Sequence, residues 1–378
     1  MRIQIPVAWP RSVWRPVRAS QERLEQAGCP PAGAAARRAF AGLVRRRPER
    51  VNLALQGGGA HGAFTWGVLV RLLEADLQID GISGASAGAL NAVALASGWL
   101  SGGSAGAAQT LDQLWRDIGG LAQISPLRAG GLSQLAADFA AQFLSPYQLN
   151  PLGVHPLRPV LERLIDFERL RATEPPRLFI AATNVATGRA RIFRNPELSV
   201  DAVLASACLP QMHQAIEIDG TPYWDGGFSA NPPLVALVEA CPARDVVLVQ
   251  INPLHAERTP RRPREIRIRV AEIAFGRPLA EELERLRHRA GPRFAPWQWL
   301  SARRRRLARH RVHTIDGSAE LARLDPGTKV DPTWPLLLDL RARGWRAAEA
   351  WLARYRGERS TEPVAAATIM AQAPRRAG

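Results

Sequence analysis

Apolar positions along the chain follow two periods. Mainly apolar runs at 51–55, 79–82, 177–182 and 246–251, each carrying one polar position (Asn52, Asp80, Arg177 and Gln250), have the length and composition of strands covered on both faces. A shorter run at 191–193 follows a turn-rich stretch, Thr183-Asn184-Val185-Ala186-Thr187-Gly188, and reads as another strand. Between these runs, apolar residues recur at helical spacing over 63–73, 87–99, 109–118, 132–143, 156–166, 199–207 and 232–240. Strands alternating with helices predict an α/β fold, a three-layer α/β/α sandwich with a largely parallel central sheet. The Gly/Ser-rich stretch 101–107 reads as a loop and a candidate lid hinge, and 334–355 as a C-terminal helix broken at Gly344.

Four regions follow from this pattern: a basic N-terminal extension over 1–50, partly disordered; an α/β domain over 51–255; an arginine-rich helical region over 256–359 that packs on the core; and a loose tail over 360–378. No internal repeat is present.

Charge changes the picture of the partners. The 378 residues carry a net charge of +16, and Lys329 is the single lysine among 50 basic residues. The first fifty residues hold eleven Arg against three Glu, and a second concentration runs from 261 to 309 with the quartet Arg303-Arg304-Arg305-Arg306 just after Trp297 and Trp299. Arginine beside interfacial tryptophan suits an anionic membrane surface. The same pair suits nucleic acid, but no helix-turn-helix, zinc-finger or ribonucleoprotein motif supports a specific nucleic-acid module. A solvated arginine-rich helical face is the plainer alternative. No run of about eighteen apolar residues occurs, so no membrane span is expected. Three cysteines, Cys29, Cys208 and Cys241, form no disulfide framework. A cytoplasmic setting with peripheral membrane contact fits these features; oligomeric state is not fixed by them.

Candidate chemistry begins at Gly84-Ala85-Ser86-Ala87-Gly88, a G-x-S-x-G run between a strand and a helix. Such a turn exposes a serine hydroxyl and needs small neighbours, which makes Ser86 a candidate nucleophile. Gly57-Gly58-Gly59-Ala60-His61-Gly62 also lies between a strand and a helix. Its amides at a helix N-terminus suit an anionic oxygen. The same loop can be read as a flexible turn, or as a G-x-G-x-x-G dinucleotide fingerprint with Asp76 or Asp80 as the acid; a P-loop would need a G-K-[ST] ending, which is absent. A third segment, Tyr223-Trp224-Asp225-Gly226-Gly227-Phe228, follows Ala205-Ser206-Ala207-Cys208-Leu209-Pro210 and Ile218-Asp219-Gly220 and precedes Asn231-Pro232-Pro233. The order Ser, Asp, His also permits a Ser-His-Asp triad closed by His313.

This ordered set, spread over roughly 51 to 255, resembles the patatin-like phospholipase family. The resemblance implies a Ser–Asp dyad with Ser86 as nucleophile and Asp225 as general base, supported by Gly62, Gly84, Gly88, Gly226 and Gly227. It implies an oxyanion hole drawn from the amides of Gly57, Gly58, Gly59 and Ala60, with Gly58 and Gly59 foremost. His61 departs from the family, where many members carry Arg or Lys. The implied activity is carboxyl-ester hydrolysis on a lipid or membrane-surface substrate, anionic phospholipid among them, with no cofactor and no metal. Alternatives are a transacylase or intracellular polyester depolymerase using the same dyad, and a catalytically silent membrane-binding adaptor.

Overall fold

The computed structural model describes residues 49–124, 145–256, 258–290 and 310–361. The N-terminal extension, the expected helix at 132–143, the Trp297–Trp299 and Arg303–Arg306 cluster and the tail beyond 361 lie outside these residues.

In chain order the elements are β1 (Arg50–Leu55), α1 (Gly62–Glu74), β2 (Gln78–Gly84), α2 (Ala87–Ile124), α3 (Arg158–Leu164), α4 (Phe167–Ala172), β3 (Arg177–Asn184), β4 (Ala190–Arg194), α5 (Val200–Ser206), β5 (Ile216–Ile218), β6 (Thr221–Asp225), α6 (Leu234–Ala240), β7 (Asp245–Gln250), α7 (Pro263–Ala290), β8 (Arg311–Asp316) and α8 (Trp334–Thr361). Strands β3, β2, β1, β7 and β8 are parallel neighbours in that order, while β4, β5 and β6 pair antiparallel at one side. This is the expected α/β sandwich with a largely parallel sheet and helices on both faces. Strand β7 is buried at every position, as β1 is after Arg50, because helices cover both faces. The β5–β6 hairpin turns at Asp219-Gly220, both with positive φ (50° and 72°), the conformation a two-residue hairpin loop requires.

Two expectations from glycine are corrected. Residues 101–107 are helical apart from Gly102 and Gly103, so the expected loop is a kink inside α2. Past the kink the helix doubles back on itself: a Cβ on Gly98 would meet the Gly106 carbonyl oxygen at 2.5 Å. Helix α8 runs unbroken through Gly344, whose absent side chain admits the backbone of α1; a Cβ there would meet Phe64 O at 1.9 Å. Gly67 of α1 answers it, with Arg341 O at 1.9 Å from its would-be Cβ. Close backbone approach, not chain reversal, is what these glycines permit. Trp66, fully buried at this crossing, stacks on Trp115 and meets Trp334 at a tilt, and Arg341 lies 4.5 Å over its ring.

Strand pairing positions the site. Ile180 of β3 pairs with both β2 (Gly84) and β4 (Phe193), and Ala182 pairs with both β4 (Arg191) and β6 (Asp225). A residue has one neighbour on each side, so β2 and β6 share the same edge of β3. They run in opposite directions and meet end to end. Gly84 and Asp225 therefore lie two positions apart along β3, about 7 Å at the rise of a strand.

Candidate active site

Ser86 lies two residues past the end of β2 and directly before the first residue of α2, with φ +54°. Holding a serine in the left-handed region costs about 1–3 kcal/mol. Its surroundings leave it no alternative. A Cβ on Gly84 would meet Gly88 O at 2.5 Å, and one on Gly88 would meet Leu55 O at 2.1 Å. The Ser86 amide donates to Ser206, at 3.0 Å to its carbonyl oxygen and 3.1 Å to its Oγ.

Asp225 is the last residue of β6, rather than part of a free loop, and is fully buried. Its amide donates to Cys208 O at 2.8 Å, so the segment 206–208 grips the backbone of both Ser86 and Asp225. Asp225 Oδ1 accepts the Gly227 amide at 2.7 Å, and Oδ2 has no hydrogen-bond partner. Gly226 is required because a Cβ would sit 2.0 Å from Ala181 O. Burial without a cation raises the Asp225 pKa from 3.8 to about 7, against the opposing pull of the Ser86 hydroxyl and the Gly227 amide. The Ser86 hydroxyl thus neighbours the carboxylate, although no hydrogen bond joins it to either oxygen. Cys208, beside it, has its thiol pushed up to about 12 by burial and by Asp225, which makes it a packed residue and no nucleophile.

The glycine loop abuts the serine. A Cβ on Gly57 would lie 2.6 Å from both Ala85 O and Ser86 Cβ. The expected set of amide donors needs one change, because the Gly57 amide is already bonded to Asn231 Oδ1 at 2.7 Å. Among the described residues the Gly58 and Gly59 amides donate to no acceptor. Gly59 has φ +62° and begins a single 3₁₀ turn, Gly59–His61, that leads into α1.

Three carboxamides and a lysine brace this loop. Gln56 Oε1 accepts the Ile251 and Asn252 amides at 2.8 and 2.9 Å. Asn252 Nδ2 donates to Gly57 O at 2.6 Å, and Asn252 Oδ1 accepts Lys329 Nζ at 3.0 Å. Lys329 O lies against Gly59, 2.2 Å from where a Cβ would be. Burial lowers the Lys329 pKa, partly offset by Glu272. His61 is buried, with Nε2 2.8 Å from Thr328 Oγ1. Burial and then Lys329 lower its pKa to about 4, so at neutral pH it is uncharged. Among the described residues, the cation beside the loop thus comes from position 329, not 61. Gln56, Asn252 and Lys329 belong to none of the motifs; the one signal for Lys329 was its being the chain's sole lysine.

His313 lies elsewhere. Its Nε2 is 2.9 Å from Asp245 Oδ1, and Asp245 opens β7, at the end of the parallel sheet away from Ser86. This removes the triad. Asp80, a candidate acid for a dinucleotide loop, instead pairs with Arg50 near the start of β2.

Comparisons with known proteins bear on the family of this chain. The model of the patatin-like phospholipase family matches residues 53–238. Among solved structures, VipD from Legionella pneumophila is similar at 15% identity with a TM-score of 0.36, covering 81% of this chain and 67% of that one. Full-length ExoU of the Pseudomonas aeruginosa type III secretion system, crystallised with SpcU, is similar at 18% identity with a TM-score of 0.30, covering 81% of this chain. This chain spans 53% of that ExoU chain. No curated protein sequence matches. The glycine loop, the serine turn and Asp225 all fall inside the matched span, and residues 53–238 form a patatin-like phospholipase domain.

Proposed function

We propose that this protein is a lipid acyl hydrolase that cleaves carboxyl esters of phospholipid or lysophospholipid through Ser86 and Asp225. Asp225 takes the proton of Ser86 Oγ as Oγ attacks the ester carbonyl. The amides of Gly58 and Gly59, with Ala60, receive the charge that develops on the carbonyl oxygen. Such preorganised donors contribute about 3–4 kcal/mol each. The protonated Asp225 then passes its proton to the departing alcohol oxygen. In the second half, Asp225 takes a proton from water, the hydroxide attacks the acyl-serine, and fatty acid leaves as Ser86 regains its proton.

The observation that carries this reading is the environment of Asp225. An ordinary carboxylate is too weak a base for a serine hydroxyl. This one is fully buried, faces Ser86, has an unpartnered Oδ2 and titrates near pH 7. Lys329 supports the loop from behind: its ammonium orients Asn252, which holds the Gly57 carbonyl and so aims the next two amides.

A fluorophosphonate probe should label the protein at Ser86, and fatty-acid release from mixed phospholipid should vanish in Ser86→Ala. Unlabelled Ser86 in a folded, monodisperse protein would refute the proposal. Offering water and alcohol acceptors together separates hydrolysis from acyl transfer.

A further inference from the structure

Among the described residues, nine large apolar side chains are exposed, and they are not scattered. Tyr147, Leu149, Leu152 and Val154 sit on the segment before α3, at 52–87% exposure. That segment is tied to the chain leading into Asp225: the Ala215 amide donates to Tyr147 Oη at 3.2 Å, and Gln214 Nε2 donates to Asn150 O at 2.5 Å. Met212, also exposed, lies on the same stretch as Cys208, whose carbonyl holds the Asp225 amide. Val330, 62% exposed, follows Lys329 at the glycine loop.

The remaining three, Ile266, Val270 and Ile273, are on α7 at spacings of four and three, which places them in one outward stripe. This helix is anchored to the site by Phe275. Its ring packs on Gly227 and on Phe228 at 4.6 Å, and its carbonyl accepts Asn231 Nδ2, the side chain that also holds the Gly57 amide. A soluble helix turns its apolar stripe inward; here one stripe faces out beside the site.

Charge identifies the occupant. Arg258, Arg261, Arg262 and Arg267 are exposed on or just before α7. Arg262 is paired with Glu265 at 3.9 Å, whereas the guanidinium groups of Arg258, Arg261 and Arg267 have no acidic partner among the described residues; the Arg261 backbone amide donates to Glu265 Oε2 at 3.2 Å. An outward apolar stripe edged by free guanidinium groups matches a surface with acyl chains beneath anionic headgroups.

We infer that the α7 stripe and the Tyr147–Val154 segment form a rim around the Ser86 site that seats on an anionic phospholipid bilayer. This rests on the catalytic reading above for its purpose, but not for its test.

The Ser86→Ala full-length protein is sedimented with phosphatidylcholine vesicles, with and without phosphatidylglycerol. The double substitution Val270→Ser/Ile273→Ser should weaken partition onto the mixed vesicles about tenfold or more, with Leu152→Ser adding to the loss. The pair Arg261→Gln/Arg267→Gln should remove most of the preference for phosphatidylglycerol. In proteins retaining Ser86, cleavage of a monomeric short-chain ester should be unchanged by all of these. Unchanged partition would overturn the inference. So would a fall in thermal stability without a change in partition, which would mean that the chain itself covers the stripe. Conversion of a dimer to a monomer, with no vesicle binding in either, would assign the rim to a second copy instead. Absence of ester cleavage by every version, with partition as expected, would refute the catalytic reading and leave the rim standing.

Discussion

Two aspartates in one sheet, both buried, have opposite fates. Asp245 begins β7, and Asp225 ends β6 near the opposite end of the parallel strands. Burial alone would raise both. At Asp245 that push is outweighed by hydrogen bonds from His313 at 2.9 Å and Arg311 at 2.8 and 3.0 Å, and the pKa falls below its ordinary value. At Asp225 two lesser hydrogen bonds oppose burial, no cation does, and the pKa rises to about 7. The residue type is the same and the burial similar. What separates a structural carboxylate from the one proposed here as a base is whether a cation was built beside it.

The largest test of that contrast is loss of turnover. Ser86→Ala and Asp225→Asn should each lower kcat by about 10⁴-fold or more, read as fatty-acid release. Asp245→Asn should leave kcat per folded molecule within about threefold, because no step passes through it. If both asparagine variants lost activity equally, the distinction would collapse.

Weakening the brace behind the glycine loop comes next. Lys329→Met and Asn252→Ala should lower kcat by about 10–100-fold with little change in KM, since misaimed amides act on the transition state. Lys329→Arg should not restore it, because a guanidinium fork does not replace a compact ammonium packed on one carboxamide.

Stability against pH separates the two aspartates by sign. Asp225 has a folded pKa above its unfolded value, so the protein loses stability as pH rises from about 4 to 7; the ionised form costs on the order of 4 kcal/mol. Asp225→Asn should therefore gain stability relative to the wild type on going from pH 5 to pH 8 in urea titrations. Asp245 has a depressed folded pKa, so its contribution is present above the unfolded value and lost at lower pH. Asp245→Asn should cost about 2 kcal/mol at pH 7, less than for a fully enclosed pair because Arg311 is half exposed.

The smallest effects are the pH limb and the distal histidine. A kcat/KM that rises with pH and is half-maximal near pH 7 would report Asp225 ionising in the free enzyme. His313→Ala should change kcat by less than about twofold and soften stability modestly, as it removes a ring packed between Asp245, Trp351 and Tyr355. A dead but folded His313→Ala would restore the triad.

Much of this molecule is legible in the chain because it is local. A strand, a crowded turn and a helix around Ser86 follow from glycine spacing and apolar period, and the steric need for Gly84 and Gly88 is met as expected. Glycine without a partner in view misleads, however. Gly344 reads as a helix break and proves to be a crossing point, because the backbone it admits belongs to Phe64, far along the sequence. Gly57 reads as an oxyanion donor, but its amide is occupied by the side chain of Asn231.

The sequence by itself therefore determined the alternation of strands and helices, the serine turn, the glycine loop and the family to which residues 53–238 belong. Only the tertiary structure decided that β2 and β6 end against each other on one edge of β3, that segment 206–208 grips both Ser86 and Asp225, and that the cation behind the loop is Lys329. The reason is physical. Backbone conformation and apolar period act between near neighbours, whereas a carboxylate's pKa and an amide's freedom depend on which distant groups the fold brings within a few ångströms.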